Sequence, residues 1–470
     1  MLTAGMVTQA TGGRLLAGHP DRAFDGVSTD TRAIAPGALF VALRGDRFDG
    51  HAFLEEAARR GAAGLLVEGD ARPAAGSATS PDADPPAVIA VRDTLTALQS
   101  LALDVRRRSG AKVVAITGSA GKTTTKEITA ELLATRFNVF RNRGNLNNHI
   151  GLPLSLIELC HGPDVAVVEL GMNHAGEIRT LIAIAEPDVR VWINVGDAHI
   201  GHFGSREAVA RAKAEILEGA TAATVVVANA DDPLVMAHVS GTSARVVTFA
   251  ERAEATIRAS DVIDRGFDGT TSTVTTPAGA LRLTVRLPGR AQLMNVLAAV
   301  AVASEFGVPG PAIADRVATV HAVARRGAVS VTPGGVKLID DSYNASPAAV
   351  RAMLDALRAT PAAGRRIAVL GEMLELGDSA RDLHVETGRA AAAAALDALV
   401  VVGGPAADGL AEGAIAAGLL PARVHRFADS TSARDAVAAI VRTGDLVLVK
   451  GSRGTRTDVT ADRLAAGEGA

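Results

Sequence analysis

The chain has 470 residues, of which 48% are hydrophobic and 21% are charged, and its formal net charge is −3. This composition excludes an intrinsically disordered chain, and the nearly balanced charge gives no reason to expect binding to nucleic acid or to an anionic membrane. The length predicts about three domains.

Cysteine content and hydrophobic runs indicate where the protein works. The single cysteine, Cys160, cannot form an internal disulfide, which favours a reducing cytoplasm. Residues 1–20 lack the apolar run of a secretory signal, and the alanine-rich segment 390–399 is too short to span a bilayer. We therefore expect a cytoplasmic protein without stable membrane insertion.

The first domain is predicted to be a small α/β unit over residues 1–108. Residues 71–86 are rich in proline and small residues, which is typical of a linker or of an excursion within a domain. Residues 87–91 then read as a short buried strand, and a helical pattern follows from Asp93. The helical pattern ends in a polar segment at 106–110, which we interpret as the first domain boundary.

The most informative segment is 112–125, with the sequence KVVAITGSAGKTTT. It predicts a strand, a glycine-bounded turn and the start of a helix, an arrangement that binds phosphate through backbone N–H groups and the helix N-terminus. Lys122 adds a positive charge and Thr123 a hydroxyl suited to Mg²⁺. Ile116 stands where the usual P-loop has its first glycine, and the shorter form favours ATP-dependent amide ligases. The predicted nucleotide contacts are Thr117, Gly118, Ser119, Ala120, Gly121, Lys122, Thr123 and Thr124.

A central domain is predicted over residues 109–326. Apolar strands at 113–117, 164–170, 189–195 and 224–229 alternate with helices, one of them at 123–137, which indicates a mostly parallel sheet covered on both faces. Ligands of such sheets bind beyond the carboxyl ends of the strands. Glu169 and His199 are both predicted to lie there.

A second alternating block predicts a Rossmann-like domain over residues 327–470. Its strands are expected at 336–340, 366–370, 398–402 and 445–450, with helices rich in alanine and glycine between them. The chain has no solenoid repeat and no coiled-coil heptad pattern.

Three side chains of the central domain are candidates for chemistry. Glu169, at a strand end beside the phosphate loop, can hold Mg²⁺ and screen the charge of ATP. His199 alone would be interpreted as a structural hydrogen-bonding residue. Lys213, on a helix expected to begin near Ser205, would by itself be interpreted as a solvated lysine.

The chain resembles the Mur ligase family over nearly all of its length. The motifs that carry this resemblance are STDTR (28–32), GALFVAL (37–43), GDRFDGH (45–51), TGSAGKT (117–123), GNLNN (144–148), VELG (168–171), DDSYNASP (340–347), GEMLELG (371–377) and KGSR (450–453).

The resemblance implies an ATP-dependent ligase that forms a peptide bond through an acyl phosphate during peptidoglycan synthesis. The run 340–345 points to the member that joins D-alanyl-D-alanine to UDP-N-acetylmuramoyl-tripeptide. The alternative is the sister ligase that adds the third amino acid to UDP-N-acetylmuramoyl-dipeptide. Folylpolyglutamate synthetase shares the short loop, and the alternatives from another class are a nucleotide-driven switch and a catalytically dead binding protein.

The resemblance also implies roles for single residues. Lys122 would contact the β- and γ-phosphates, Thr123 and Glu169 would hold one Mg²⁺, and His199 a second. Lys213 matches a lysine that the family can carry as a carbamate formed with CO₂. An unperturbed lysine amine has a pKa of about 10.4, so carbamate formation requires help from burial or Mg²⁺.

Two segments depart from the family pattern. The usual Pro-Gly-Arg is Ala324-Arg325-Arg326 here; Arg326 is the favoured contact for the γ-phosphate, and Arg325 remains open. The adenine-binding stretch retains Asn295 but has Gln292 where the family has asparagine. Lys122, Lys213, His199 and Arg326 are thus the predicted catalytic residues.

The predicted substrate contacts are spread over all three domains. The first domain would hold the UDP end, and the loop after residue 144 the muramoyl or peptide portion. The third domain would close over ATP, with Asp341 as a nucleotide contact, and admit the dipeptide. The residues are Ser28, Thr29, Asp30, Asn145, Asn148, Tyr343 and Asn344. A monomer is expected.

Overall fold

The computed structural model describes residues 2–45, 48–73, 84–144 and 146–467. The chain divides into two compact units, Met1–Ala115 with Phe137–Arg190, and Ile116–Arg136 with Val191–Ala470. Within the described ranges no helix has the length and apolarity needed to cross a membrane.

The N-terminal part of the first unit is a small α/β fold. Strands β4 to β7 are parallel neighbours, and β2 pairs antiparallel with β7, which gives the order β2-β7-β6-β5-β4. Because β6 and β7 are adjacent, the predicted excursion within the first domain is confirmed; residues 74–83 of it lie outside the described part. The elements are β1 (Leu2–Thr3), α1 (Ala4–Thr11), β2 (Arg14–Ala17), β3 (Ala23–Phe24), β4 (Val27–Ser28), β5 (Leu39–Val41), α2 (Leu54–Arg59), β6 (Gly64–Glu68), β7 (Ala87–Val91) and α3 (Thr94–Ser109).

The central part of the chain contributes to both units. Its elements are β8 (Lys112–Thr117), α4 (Lys122–Leu133), β9 (Val139–Arg141), α5 (Gly151–Ile157), β10 (Val165–Glu169), α6 (Glu177–Ala185), β11 (Val189–Trp192), α7 (Ile200–Phe203), α8 (Arg206–Ala214), β12 (Val225–Asn229), α9 (Pro233–Val239), β13 (Arg245–Ala250), β14 (Ile257–Asp264), β15 (Thr270–Thr276), β16 (Gly279–Val285), α10 (Ala291–Glu305) and α11 (Gly310–Val317).

Strand pairing in the central part is parallel, as predicted, over most of its length. In the first unit β9 pairs with β10, and in the second β12, β13 and β14 are successive parallel neighbours. The antiparallel extension by β15 and β16 was not predicted, because its threonine-rich strands lack the apolar runs that mark the others. Helix α10 is almost wholly buried against α4, β12 and β13.

Helix α4 is shorter than predicted, ending at Leu133 instead of residue 137. The Thr135 hydroxyl donates to the carbonyl of Leu132 at 2.6 Å, and Arg136 N donates to the carbonyl of Leu133. These bonds satisfy the last carbonyls of the helix and turn the chain toward β9.

The start of β8 is anchored by the carboxylate of Asp188. Its Oδ2 accepts from the Arg106 guanidinium and from Val113 N, each at 2.9 Å, while Oδ1 accepts from Lys112 Nζ at 2.8 Å. The strand that leads to the phosphate loop is therefore held at its beginning by the helix α3 and by the turn before β11.

The C-terminal domain is a six-stranded sheet in the order β17-β18-β22-β19-β20-β21. All neighbours are parallel except the edge strand β17, and apolar clusters cover both faces, so the Rossmann-like prediction is confirmed. The elements are β17 (Ala328–Val331), β18 (Lys337–Asp341), α12 (Pro347–Ala359), β19 (Arg366–Gly371), α13 (Ala380–Ala393), β20 (Ala398–Val402), α14 (Asp408–Ala416), β21 (Val424–Phe427), α15 (Ser430–Ile440), β22 (Leu446–Lys450) and α16 (Asp458–Ala466).

Candidate functional site

The phosphate loop has the strand–turn–helix geometry that the sequence predicts. Strand β8 ends at Thr117 and α4 begins at Lys122, with Gly121 as its N-cap at φ +84°. A side chain at Gly121 would be strained by that φ, and its Cβ would lie 2.2 Å from Asn295 Oδ1. Glycine is therefore required at the N-cap of α4. The N-terminus of a helix favours the binding of anions.

Asn194 supports this loop and was not among the predicted site residues. Its Oδ1 accepts from the backbone N–H groups of Ser119 and Ala120, both at 3.0 Å, and its Nδ2 donates to the carbonyl of Ala120 at 3.1 Å. The amides of Ser119 and Ala120 are thus committed to Asn194, and the anion-facing end of the loop is the first turn of α4. The available signal was an asparagine two residues after a buried strand.

Lys122 and Lys213 meet at one atom of the loop. Lys122 Nζ donates to the carbonyl oxygen of Gly118 at 2.9 Å, and Lys213 Nζ donates to the same oxygen at 3.2 Å. Lys213 lies in the last turn of α8 and is 2% exposed. The interpretation as a solvated lysine is therefore wrong, because burial of α8 against the loop turns this side chain inward.

Asn295 lies beneath the loop, on the first turns of α10. Its Oδ1 accepts from the Thr125 hydroxyl at 3.3 Å, and its Nδ2 donates to Gln292 Oε1 at 2.7 Å. The two carboxamides of the predicted adenine-binding stretch therefore contact each other, and one of them also contacts α4.

Glu169 lies in the first unit, at the carboxyl end of β10, and is 4% exposed. Asn147 Nδ2 donates to its Oε1 at 2.7 Å, and its own N–H donates to Asn142 Oδ1. Asn148 Oδ1 accepts from Gly151 N at 2.8 Å at the start of α5. Asn145 lies outside the described residues.

His199 is at the C-terminal-domain side of the central domain, with φ +64°. Its Nδ1 lies 2.7 Å from Glu375 Oε2, and this contact lowers the pKa of the Glu375 carboxyl. Gly201 N donates to the carbonyl of Glu375 at 3.1 Å. Glu375, within the motif 371–377, was not predicted as a site residue, because only the tertiary fold brings it to His199.

The two arginines at the domain junction have different surroundings. Arg325 donates to Asp462 at 2.9 Å and lies 3.2 Å from Asp458, both on α16. Arg326 instead places its guanidinium 3.9 Å from the ring centroid of Tyr343. Arg325 is therefore engaged by carboxylates within the C-terminal domain, whereas Arg326 contacts an aromatic ring.

The predicted site residues Asp341 and Asn344 both contact Lys450, which was not predicted as a site residue. Lys450 Nζ donates to Asp341 Oδ2 at 2.5 Å and to the carbonyl of Asn344 at 2.9 Å. Lys450 ends β22 and Asp341 ends the neighbouring parallel strand β18, so the sheet order creates this contact.

The predicted UDP-binding segment lies just after β4. The Ser28 hydroxyl donates to the carbonyl of Asp30 at 3.0 Å, so Ser28 and Asp30 flank Thr29 in a tight turn. Hydrogen bonds from the side chain and backbone of Arg32 lower the pKa of the Asp30 carboxyl to about 2. Asp30 is thus an acceptor suited to a ribose hydroxyl or a base N–H rather than to phosphate.

A polar cavity of about 630 Å³ lies within the second unit, and the sequence did not indicate it. It opens at the carboxyl ends of β12 and β13 and at the start of α10, and it reaches Val195, next to the residue that supports the loop. Its lining includes Asn229, Asp231, Glu251, Arg252, Arg290 and Met294.

Within the described ranges, no group of three or more histidine, cysteine or acidic side chains could hold a metal ion by itself. The Thr123 hydroxyl, in the second unit, and the Glu169 carboxylate, in the first, are each an oxygen donor of the kind that Mg²⁺ accepts.

Family models match three successive segments of the chain. The first is described as the Mur ligase family, catalytic domain (residues 23–106), the second as the Mur ligase middle domain (116–303), and the third as the Mur ligase, glutamate ligase domain (325–453). Their order matches the three-domain α/β layout predicted from the sequence.

Curated relatives and solved structures are similar over nearly the whole chain. The UDP-N-acetylmuramoyl-tripeptide–D-alanyl-D-alanine ligases of Escherichia coli and Bacillus subtilis are 37% and 35% identical, covering 92% of this chain and 92% and 91% of theirs. The crystal structure of MurF from Acinetobacter baumannii matches with a TM-score of 0.87 at 30% identity, covering 98% of both chains. MurF ligase from Thermotoga maritima in complex with ADP matches at 0.80 and 29%, covering 94% and 97%.

Proposed function

The chain belongs to the Mur ligase family, and from this premise we propose that it joins D-alanyl-D-alanine to UDP-N-acetylmuramoyl-tripeptide, forming ADP and phosphate. The product is the pentapeptide precursor of peptidoglycan. The observation that carries the proposal is the convergence of Lys122 and Lys213 on the Gly118 carbonyl beside the N-terminus of α4. We infer a cytoplasmic enzyme that acts as a monomer.

The phosphate loop binds the phosphates of ATP in this proposal. The first-turn amides of α4 and the Lys122 ammonium neutralise the β- and γ-phosphates, and Arg326 approaches the γ-phosphate from the domain junction. The polar cavity beside Val195 supplies room for the nucleoside, since its volume of about 630 Å³ lies within the usual range for ligand sites. The ADP complex of the Thermotoga relative supports nucleotide binding by this fold.

The first step activates the carboxylate of the tripeptide. A carboxylate oxygen attacks the γ-phosphorus, the bond to the β-phosphate oxygen breaks, and ADP leaves an acyl phosphate behind. Lys122 and Arg326 offset the negative charge that otherwise keeps the carboxylate away from ATP. Thr123 and His199, and in the first unit Glu169, would each offer a ligand to Mg²⁺, which would screen the same charge when bound.

Lys213 would act next to the γ-phosphate, as a carbamate in the form that we favour. Only the neutral amine reacts with CO₂, and burial beside a second ammonium disfavours the charged form of an amine. Lys213 is 2% exposed and donates to the same oxygen as Lys122. A carbamate there would be an anion able to hold a cation.

The second step forms the peptide bond. The amine of D-alanyl-D-alanine attacks the acyl carbon, the tetrahedral intermediate expels phosphate, and the amine proton passes to solvent. An α-amino group has a pKa near ~7.7–8, so roughly a quarter of it is already neutral at physiological pH. Asp341, Tyr343 and Asn344 would close over the nucleotide and admit the dipeptide, while Ser28, Thr29 and Asp30 hold the UDP end and the asparagine loop the muramoyl peptide.

The test is ADP and phosphate release with ATP, Mg²⁺ and UDP-N-acetylmuramoyl-tripeptide, with and without D-alanyl-D-alanine. We expect release to depend on the dipeptide, a pentapeptide product by mass, and loss of turnover in Lys122→Met. Lys112→Met is the matched control, because Lys112 is an exposed lysine at the start of β8, the strand that precedes the loop. Turnover only with the dipeptide precursor and diaminopimelate or lysine would assign the sister ligase, and ATP hydrolysis without an acceptor would assign a switch.

A further inference from the structure

Two guanidinium groups share the only tyrosine of the chain. Tyr343 follows β18 in the C-terminal domain, and the guanidinium carbons of Arg326 and Arg453 lie 3.9 and 5.9 Å from its ring centroid. Cations at such distances are attracted to the face of an aromatic ring, which leaves the N–H donors at the edge of each guanidinium for another partner.

Arg453 has no carboxylate partner among the residues that the structure describes, although it is exposed and near the proposed site. Other arginines of this domain are paired: Arg325 with Asp458 and Asp462, and Arg365 with Asp445. Like charges that share one ring repel each other, so an anion placed between them or beside Arg453 would be favoured.

The surroundings hold Tyr343 and Arg453 in place. Lys450 Nζ binds Asp341 and the carbonyl of Asn344, on either side of Tyr343. Ser452, which precedes Arg453, accepts from Leu374 N through its Oγ at 3.0 Å and donates from its backbone N to the carbonyl of Glu372. The guanidinium is therefore carried by a segment whose backbone is fixed before any ligand arrives.

An apolar side chain lies against Gly454, the residue that follows Arg453. Leu374 is 42% exposed, and a Cβ at Gly454 would lie 2.8 Å from Leu374 Cδ1, so this leucine covers the residue next to Arg453. A site with an aromatic ring, an exposed leucine and a guanidinium suits a small apolar ligand that ends in a carboxylate.

We propose that Arg453, held on Tyr343, binds the terminal carboxylate of the acceptor peptide, with Leu374 against its methyl side chains. The inference rests on the proposed function, in which the acceptor reacts through its amine. Once that amine is neutral, the carboxylate is the only charge left on the acceptor, and a guanidinium can bind it with two parallel hydrogen bonds. Arg326 is assigned to the phosphate, so Arg453 is the arginine of the pair that remains for the acceptor.

The test compares D-alanyl-D-alanine with D-alanyl-D-alaninamide, which lacks the charge, in the wild type and in Arg453→Gln. In the wild type we expect the amide to have a KM about 10- to 100-fold higher than the dipeptide, the usual effect of losing hydrogen bonds between charged groups. In Arg453→Gln the KM for the dipeptide should rise by a similar factor, the two acceptors should become nearly equal, and the KM for ATP should stay unchanged. Arg453→Lys should restore part of the preference.

Arg456→Gln is the matched control, because Arg456 lies in the same turn and contacts Asp458 at 3.4 Å. It should keep the wild-type preference for the free carboxylate. A dipeptide-to-amide ratio in Arg453→Gln equal to that of the wild type would overturn the inference while leaving the proposed function intact. Failure of the wild type to use the dipeptide at all would instead overturn the proposed function.

Discussion

Replacing Asn194 by alanine should weaken nucleotide binding without touching any residue of the phosphate loop. The substitution removes three hydrogen bonds of 3.0, 3.0 and 3.1 Å to Ser119 and Ala120. Each bond contributes about 1 kcal/mol net, and the site is partly open to water, so the ordered loop should lose about 2–3 kcal/mol.

Nucleotide can bind only the ordered loop, so this loss should appear in the affinity for ADP. A loss of about 2–3 kcal/mol corresponds to a dissociation constant about 30- to 150-fold higher. Isothermal titration of the wild type and of Asn194→Ala with ADP measures the ratio directly, and the affinity for the UDP-linked substrate is the internal control. A dissociation constant within twofold of the wild type would refute the reasoning, because it would mean that the loop holds its shape without Asn194.

Asn194→Asp separates geometry from charge. The aspartate keeps an oxygen that can accept from both loop amides, but it loses the donor to the Ala120 carbonyl, so the loop should keep two of its three bonds. Its negative charge should still repel the phosphates, and the resulting loss of ADP affinity should shrink as salt is added. The loss in Asn194→Ala should be insensitive to salt.

Three further outcomes are expected. Gly121→Ala should abolish measurable ADP binding, because its Cβ would lie 2.2 Å from Asn295 Oδ1. Gly110→Ala is the control for backbone strain alone, because Gly110 has φ +67° and a Cβ there would have no atom within 4 Å. Lys213→Met should keep the fold, as judged by its melting temperature, but lose at least about 100-fold in kcat, since a buried apolar chain cannot bear charge beside the γ-phosphate. Burial lowers the pKa of His384, whose Nε2 accepts from Met373 N at 2.9 Å. The unfolded chain therefore takes up a proton near pH ~6.5 while the folded chain does not, so this stability is present above that pH and should fall by up to about 1.4 kcal/mol per unit as the pH drops below it. Urea unfolding at pH 7.5 and 5.5 should give a smaller difference for His384→Gln than for the wild type.

The sequence alone determined the features that depend on neighbouring residues. The apolar run before Gly118, the glycine at Gly121 and the helix pattern after it specify a strand, a glycine-bounded turn and a helix, and all three lie where they were predicted except that the helix ends earlier, at Leu133. The alternation of apolar strands and helices likewise determined the α/β class, because buried parallel strands need continuous apolar runs. The resemblance to the Mur ligases rested on motifs of this local kind.

The tertiary structure decided which distant side chains meet. By sequence, Asn194 lies near a strand end, Lys213 on a helix and Glu375 in a loop, with nothing to mark their contacts. In the fold, Asn194 contacts Ser119, Lys213 contacts Gly118, and Glu375 contacts His199. The sequence favoured Arg326 over Arg325 but left both open, and only the position of α16 placed Asp458 and Asp462 against Arg325. The physical reason is that local patterns report backbone preference and burial, whereas a hydrogen bond between residues far apart in the chain depends on the order of strands in a sheet and on how its helices pack.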